Sequence, residues 1–287
     1  MSGPRKTLTL LGGAALAAYP FLEARRYGLE RVTIPVAAGV PALDILHISD
    51  MHMGEKDARM AAFVKALPDK IGIPDLVIAT GDLIENDRGI APAAEVLNAL
   101  EARLARAYVL GSHDYYQSRF RSYVKYWSPA RRGEIRAPRA DNVRFETLLQ
   151  EKGWIDLMNR DETIDSAHGK IRLAGVDDPY LRRHTTDHIR RARDEVMAIG
   201  LVHTPDVVSE WALAGFDLVL AGHTHGGQVR IPGIGAVVTN CTLPTGLGMG
   251  LNRVGSTWLH VSPGLGTGRF QPIRFNCYPR VTLLSLR

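Results

Sequence analysis

The chain is poor in cysteine. Only Cys241 and Cys277 occur in 287 residues, and neither sits in a CxxC or Cys/His cluster, which argues against a structural zinc site. A disulfide between them would require export. No internal repeat is visible, so a single domain over residues 43–287 is expected, with no boundary inside it. No recognised nucleic-acid motif is present, so nucleic acid is not an expected partner. A full membrane span is also missing. The uncharged stretch from Thr7 to Leu22 has sixteen residues, against the ~20 that a spanning helix needs.

That stretch fits the hydrophobic region of a signal peptide or membrane anchor over residues 1–30. Arg5 and Lys6 precede it, Arg25 and Arg26 follow it, and Ala15-Leu16-Ala17 supplies a small-residue cleavage pattern. Positive charge on both flanks says little about orientation. An amphipathic or disordered leader is the plain alternative.

Net charge is modest at +5, yet it is localised. Between Tyr115 and Ala140 there are seven Lys or Arg against Glu134 alone. Pro129, Gly133 and Pro138 break any long helix there, so residues 117–139 read as a basic insertion. It could attract an anionic small molecule or lipid headgroup, grip phosphate through Arg forks, or simply be solvated.

What the chain does contain is a series of short apolar runs that each stop at a metal-capable residue. LDILHIS ends at Asp50, LVIATG at Asp82, AYVLGS at His113, IGLV at His203 and FDLVLAG at His223. Runs of this kind suit strands buried on both faces, and in open α/β sheets ligands collect beyond the carboxyl ends of such strands. Two of the runs offer a second candidate two residues on, at His52 and His225.

Between the runs, helical spacing is present over Lys56–Lys70 and again after Pro92. Helices are also expected at Phe145–Leu149 and around Thr186–Met197. After Gly226 the strands Gln228–Ile231, Ala236–Val238, Trp258–Val261 and Val281–Leu286 are expected to form a second sheet. His47 and His260, inside apolar runs, read as satisfied core histidines rather than ligands. Asp177-Asp178-Pro179 reads equally as a turn or as a group that orients the site.

Taken together and in order, Asp50-x-His52, Gly81-Asp82, Gly111-Ser112-His113-Asp114, His203 and Gly222-His223-Thr224-His225 resemble the calcineurin-like metallophosphoesterase superfamily, from about Leu43 to Leu286. Tyr115-Tyr116 and Gly226-Gly227-Gln228 look like its bacterial membrane-associated or exported phosphodiesterases. The resemblance implies an α/β fold of two facing mixed β-sheets flanked by helices, a four-layer sandwich. It also implies two divalent ions, Mn, Zn or Fe, and a metal-bridging hydroxide that attacks a phosphate ester. By motif position Asp50, His52 and His225 would hold one ion, His203 and His223 the other, and Asp82 would bridge. His113 would be the general acid, its ring held by Asp114 or another acceptor.

One position departs from the family pattern, which has Asn where this chain has Ser112. A hydroxyl is a shorter and weaker ligand, so the second ion would be held loosely. Two readings therefore stand: a phosphodiesterase at or outside the cell membrane, and a metal-binding regulatory or weakly active protein with a compromised second site.

Overall fold

A computed structural model describes residues 17–36, 40–118 and 137–287. Most of the leader and residues 119–136 of the basic insertion lie outside the described residues. The first sheet has the order β1 (Gly28–Ile34), β14 (Arg280–Leu286), β2 (Leu43–Ile48), β3 (Leu76–Thr80), β4 (Ala105–Val109) and β5 (Trp154–Asp156). Its strands are parallel except at the junction of β14 and β2. The second sheet runs β12 (Gly250–Val254), β13 (Thr257–Val261), β9 (Leu218–Ala221), β8 (Glu195–Leu201), β7 (Gly169–Gly175) and β6 (Arg160–Ser166). There the antiparallel pairs are at the two edges.

Alternation along the strands builds three packing layers. Ile45 and Ile78 point between the sheets with Leu173, Ile199 and Leu220. Their neighbours Leu46 and Val77 point outward, onto α1 (Ala58–Lys65), α3 (Ile90–Asn98) and α5 (Asn142–Gln150) through Val64, Leu97 and Phe145. On the far side, Ala198 and Val219 meet Val208 and Trp211 of α6 (Val208–Leu213). Fully burying each such Leu, Ile or Val contributes about 1.5–3 kcal/mol, which is why both strand faces must be apolar. The four-layer arrangement of two mixed sheets between helices is thus the observed one.

Several elements differ from the sequence expectation. The helix expected over Lys56–Lys70 breaks at Ala66, because Pro68 has no N–H to continue it and instead starts α2 (Leu67–Ile71). No helix occupies Thr186–Met197. The segment turns, with the Arg191 guanidinium 2.8 Å from Asp217 and the Glu195 carboxylate accepting the Ala192 N–H, before β8 begins. Charged residues there satisfy long-range partners rather than one helical face. Val281–Leu286 joins the first sheet, between β1 and β2, not the second. Arg230–Ile231 and Gly235–Ala236 form a separate two-stranded ribbon, β10 and β11.

The last residues of the expected 1–30 leader are part of the described fold. β1 starts at Gly28, and residues 17–23 are helical. Buried Glu23 accepts the N–H groups of Asn276 and Cys277, which ties this helix to the main fold. Among the described residues no helix is long and apolar enough to cross a membrane.

Candidate metal centre

β2, β3, β4, β8 and β9 all end at one edge of the sandwich, and the residues just beyond them converge. Asp50, His52, Asp82 and His203 are buried, while His113 and His225 are partly exposed. The backbone there is strained: Asp50, His52, Asp82, His223 and His225 all have φ between 43° and 70°. Positive φ in non-glycine residues costs energy, and such strain concentrates at functional sites. Long-range backbone bonds hold it. Asp50 N–H donates to Gly81 and His52 N–H to Asp82, each at 2.9 Å. Gly222 precedes His223 so closely against Ser49 and Asp50 that a Cβ would overlap both side chains.

Side-chain distances define two sets around one carboxylate. His52 Nε2 lies 3.1 Å from His225 Nε2 and 3.6 Å from Asp82 Oδ2. His225 Nε2 is also 3.5 Å from Asp50 Oδ1. In the second set, His203 Nε2 lies 3.4 Å from the same Asp82 Oδ2 and 3.3 Å from His223 Nδ1. Asp50, His52 and His225 could hold one cation, and Asp50, Asp82 and His203 form a second candidate group. Oδ2 of Asp82 faces both histidine sets, and Oδ1 accepts the His113 N–H at 2.7 Å.

These spacings suit cations. Ligands bound at about 2.1 Å in a tetrahedral or octahedral shell stand about 3.0–3.4 Å apart. Two imidazole nitrogens facing each other at 3.1 Å in a buried site need a proton or a metal between them. Tautomers agree: His203 Nδ1 is 2.8 Å from the Thr80 carbonyl and His52 Nδ1 is 3.0 Å from Glu85, so the Nδ1–H of each donates outward and Nε2 is the nitrogen left to meet a proton or a metal.

Electrostatics follow from this crowding. Burial opposes charge on His52, but the Glu85 hydrogen bond and Asp82 outweigh it and raise its pKa to about 9. Burial likewise opposes charge on Asp82, yet His203 and His113 hold it well below the usual carboxylate range. Burial, then His203, depress His223 to about 4. His113 is pushed down chiefly by burial.

Several residues have roles that the sequence did not reveal. Glu85 grips His52 from behind and carries no spacing signal beyond lying three residues after Asp82. Asp114 does not hold the His113 ring. Its carboxylate accepts the N–H groups of Leu83, Ile84 and Gly111, because it is buried in α4 (Ser112–Tyr115), the single helical turn that follows β4. Ser118 Oγ is the group 2.9 Å from His113 Nδ1. Asp178, left open by the sequence, lies within electrostatic reach of His203. Its Oδ1 accepts the Thr204 hydroxyl, its buried Oδ2 has no partner among the described residues, and burial lifts its pKa to about 6. His47 and His260 are core histidines that bridge the sheets, Nδ1 to Nδ1 at 2.8 Å.

The model of the calcineurin-like phosphoesterase family matches residues 43–227. The chain belongs to this family. The phosphoesterase is 28% identical over 293 residues to the uncharacterized metallophosphoesterase YkuE of Bacillus subtilis, covering 98% of this chain and 92% of that one. It is 27% identical over 218 residues to the phosphodiesterase YaeI of Escherichia coli, with 74% and 70% covered. A bovine transmembrane protein with a metallophosphoesterase domain is 26% identical over 277 residues, and this chain matches 56% of its length. Members of the family are hydrolases of phosphate esters, and this phosphoesterase carries the clustered carboxylates and histidines of a metal-dependent one.

Proposed function

We propose that this phosphoesterase is a dinuclear metal-dependent phosphodiesterase acting on a phosphorylated small molecule or lipid headgroup, at the membrane or outside it. The supporting observation is Asp82: one carboxylate oxygen lies between two histidine sets, and the backbone N–H that fixes its other oxygen belongs to His113. Asp50, His52 and His225 would hold one ion and His203 and His223 the other, with Asp82 shared. Mixed Asp and His donors suit Mn, Zn or Fe. When bound, the pair supplies Lewis acidity and a nucleophile at neutral pH.

The chain's own groups do the rest. His113 stands beside the shared carboxylate with its ring 4.7 Å from His52, edge to face, and Ser118 orients its Nδ1. Nε2 is then free to give a proton to the departing alkoxide as the P–O bond breaks. Burial lowers the His113 pKa, and the negative charge of a bound ester opposes that shift. The name of YaeI favours diesters over monoesters.

The test is metal content by mass spectrometry alongside hydrolysis of aryl phosphomonoesters and phosphodiesters with added Mn, Zn or Mg. Two ions per chain with preferential diester cleavage are expected. Two bound ions with cleavage of neither ester would defeat the reading. Ser112 favours the second reading, a regulatory or weakly active protein, because it stands where the family has an Asn ligand. That reading predicts one tightly held ion and little or no turnover.

A further inference from the structure

We infer that the ribbon β10–β11, together with the helix at 17–23, forms a lipid-docking face beside the metal centre. This rests on the membrane placement proposed above and adds which surface meets the bilayer. The ribbon grows directly out of the site: it begins two residues after Gln228, and Asn240, just past its end, sets its carbonyl 3.2 Å from His223 Nε2. It is apolar where a solvated turn would be polar. Ile234 is 73% exposed, and Ile231, Val237 and Val238 are exposed beside it. No charged residue occurs between Ile231 and Asn252.

The helix at 17–23 adjoins it through one shared segment. The Phe275 carbonyl accepts the Arg230 N–H, and its ring meets Tyr19 edge to face at 5.9 Å. Next to Phe275, Arg274 N–H donates to the Pro20 carbonyl. The helix leaves Phe21 and Leu22 exposed, at 52% and 69%. Two apolar elements far apart in sequence thus flank residues 274–275 and present bare side chains.

The choice of occupant comes from the chain leading into that helix. Residues 7–22 are uncharged, so the apolar stretch continues into the exposed Phe21 and Leu22. Arg25 and Arg26 follow at once and are exposed. An apolar surface rimmed by cations matches an anionic lipid interface, which takes up hydrophobic side chains and attracts the positive rim. A protein partner or a second copy would cover the apolar residues but would give no reason for the uncharged run of residues 7–22 to lead into them. With this face in the bilayer, the metal centre opens at the headgroup level.

Depth of insertion tests this without reference to turnover. In a Cys241→Ser background of the full chain, a spin label is placed at Ile234→Cys and, separately, at Leu213→Cys. Leu213 is 90% exposed at the far end of α6, which runs away from the site edge. Each protein is bound to vesicles of equal parts phosphatidylglycerol and phosphatidylcholine, and collisions with oxygen and with a water-soluble nickel chelate are compared. The label at 234 should favour oxygen severalfold over the label at 213. Equal, water-like ratios would overturn the inference. So would spin–spin broadening of the 234 label before vesicles are added, which would make the face a contact between copies. An inactive protein whose 234 label is buried would refute the enzymatic reading and leave the docking face standing.

Discussion

Replacing Glu85 by Gln isolates a contact behind the metal centre that no motif announces. The Glu85 carboxylate and the His52 ring are 3.0 Å apart, and both are buried. A hydrogen bond to a charged group in that setting contributes about 1.5–3 kcal/mol. At about 1.4 kcal/mol per tenfold, this corresponds to about 10- to 150-fold in the affinity of the ion that His52 would hold. Carboxylate partners of ligating histidines typically account for about 10–100-fold, so the two estimates agree.

Protons complicate the comparison in a predictable direction. Glu85 and Asp82 together raise the His52 pKa to about 9, so at pH 7 the metal must displace a proton, a handicap of about 100-fold that the variant escapes in part. The E85Q loss should therefore be full at pH 9 and smaller at pH 7. The assay is competition for Mn or Zn against a chromophoric chelator across that range. An unchanged affinity at pH 9, or a loss independent of pH, would refute the argument that Glu85 acts through the His52 tautomer and charge.

Other outcomes follow from the same geometry. His113→Ala should lower kcat by about 100- to 10,000-fold while metal content by mass spectrometry is unchanged, since its side chain supplies a proton and its backbone still binds Asp82. Ser112→Asn should tighten the second ion by about tenfold, read by the same chelator competition, if an amide oxygen is a better ligand than the hydroxyl. Chelation should lower the Tm in differential scanning fluorimetry, because removal of the cations leaves five strained residues and facing imidazoles without their common partner. Acid should destabilise the core through His47 and His260. Burial pushes His260 down to about 3 and His47 well below 6.5, so below pH 6.5 the unfolded chain binds protons that the folded one does not. Stability is then full above about pH 6.5 and falls below it, by about 2 kcal/mol for His260 between pH 7 and pH 5, with His47 adding in the same direction. His260→Gln should fall less steeply in urea titrations at the two pH values; equal losses would dismiss the pair as the cause.

Much of the site was legible because it is built from strand ends. Each ligand follows an apolar run that must be a buried strand, and parallel strands bring their carboxyl ends to one edge, so Asp50, Asp82, His113, His203 and His223 could be grouped without coordinates. Local spacing also revealed the helices at Ala58–Lys65 and Asn142–Gln150. It failed at Thr186–Met197, where charged residues spaced like a helix face instead satisfy Asp217 and Arg172 across the fold. It misplaced Val281–Leu286 as well, since a strand's hydrophobic pattern states that it is buried but not between which neighbours.

By itself the sequence determined the chemistry: which residue types end the strands, in what order, and where Ser112 breaks the family pattern. Only the tertiary structure decided how those residues act together. It turned one oxygen of Asp82 toward two histidine sets, set Glu85 behind His52 and Ser118 beside His113, took Asp114 away to brace the backbone, and brought the helix at 17–23 next to an apolar ribbon more than 200 residues further on. The reason is physical. Spacing along a chain encodes local periodicity, whereas ligand angles, tautomers and shared surfaces depend on packing between segments that the sequence keeps far apart.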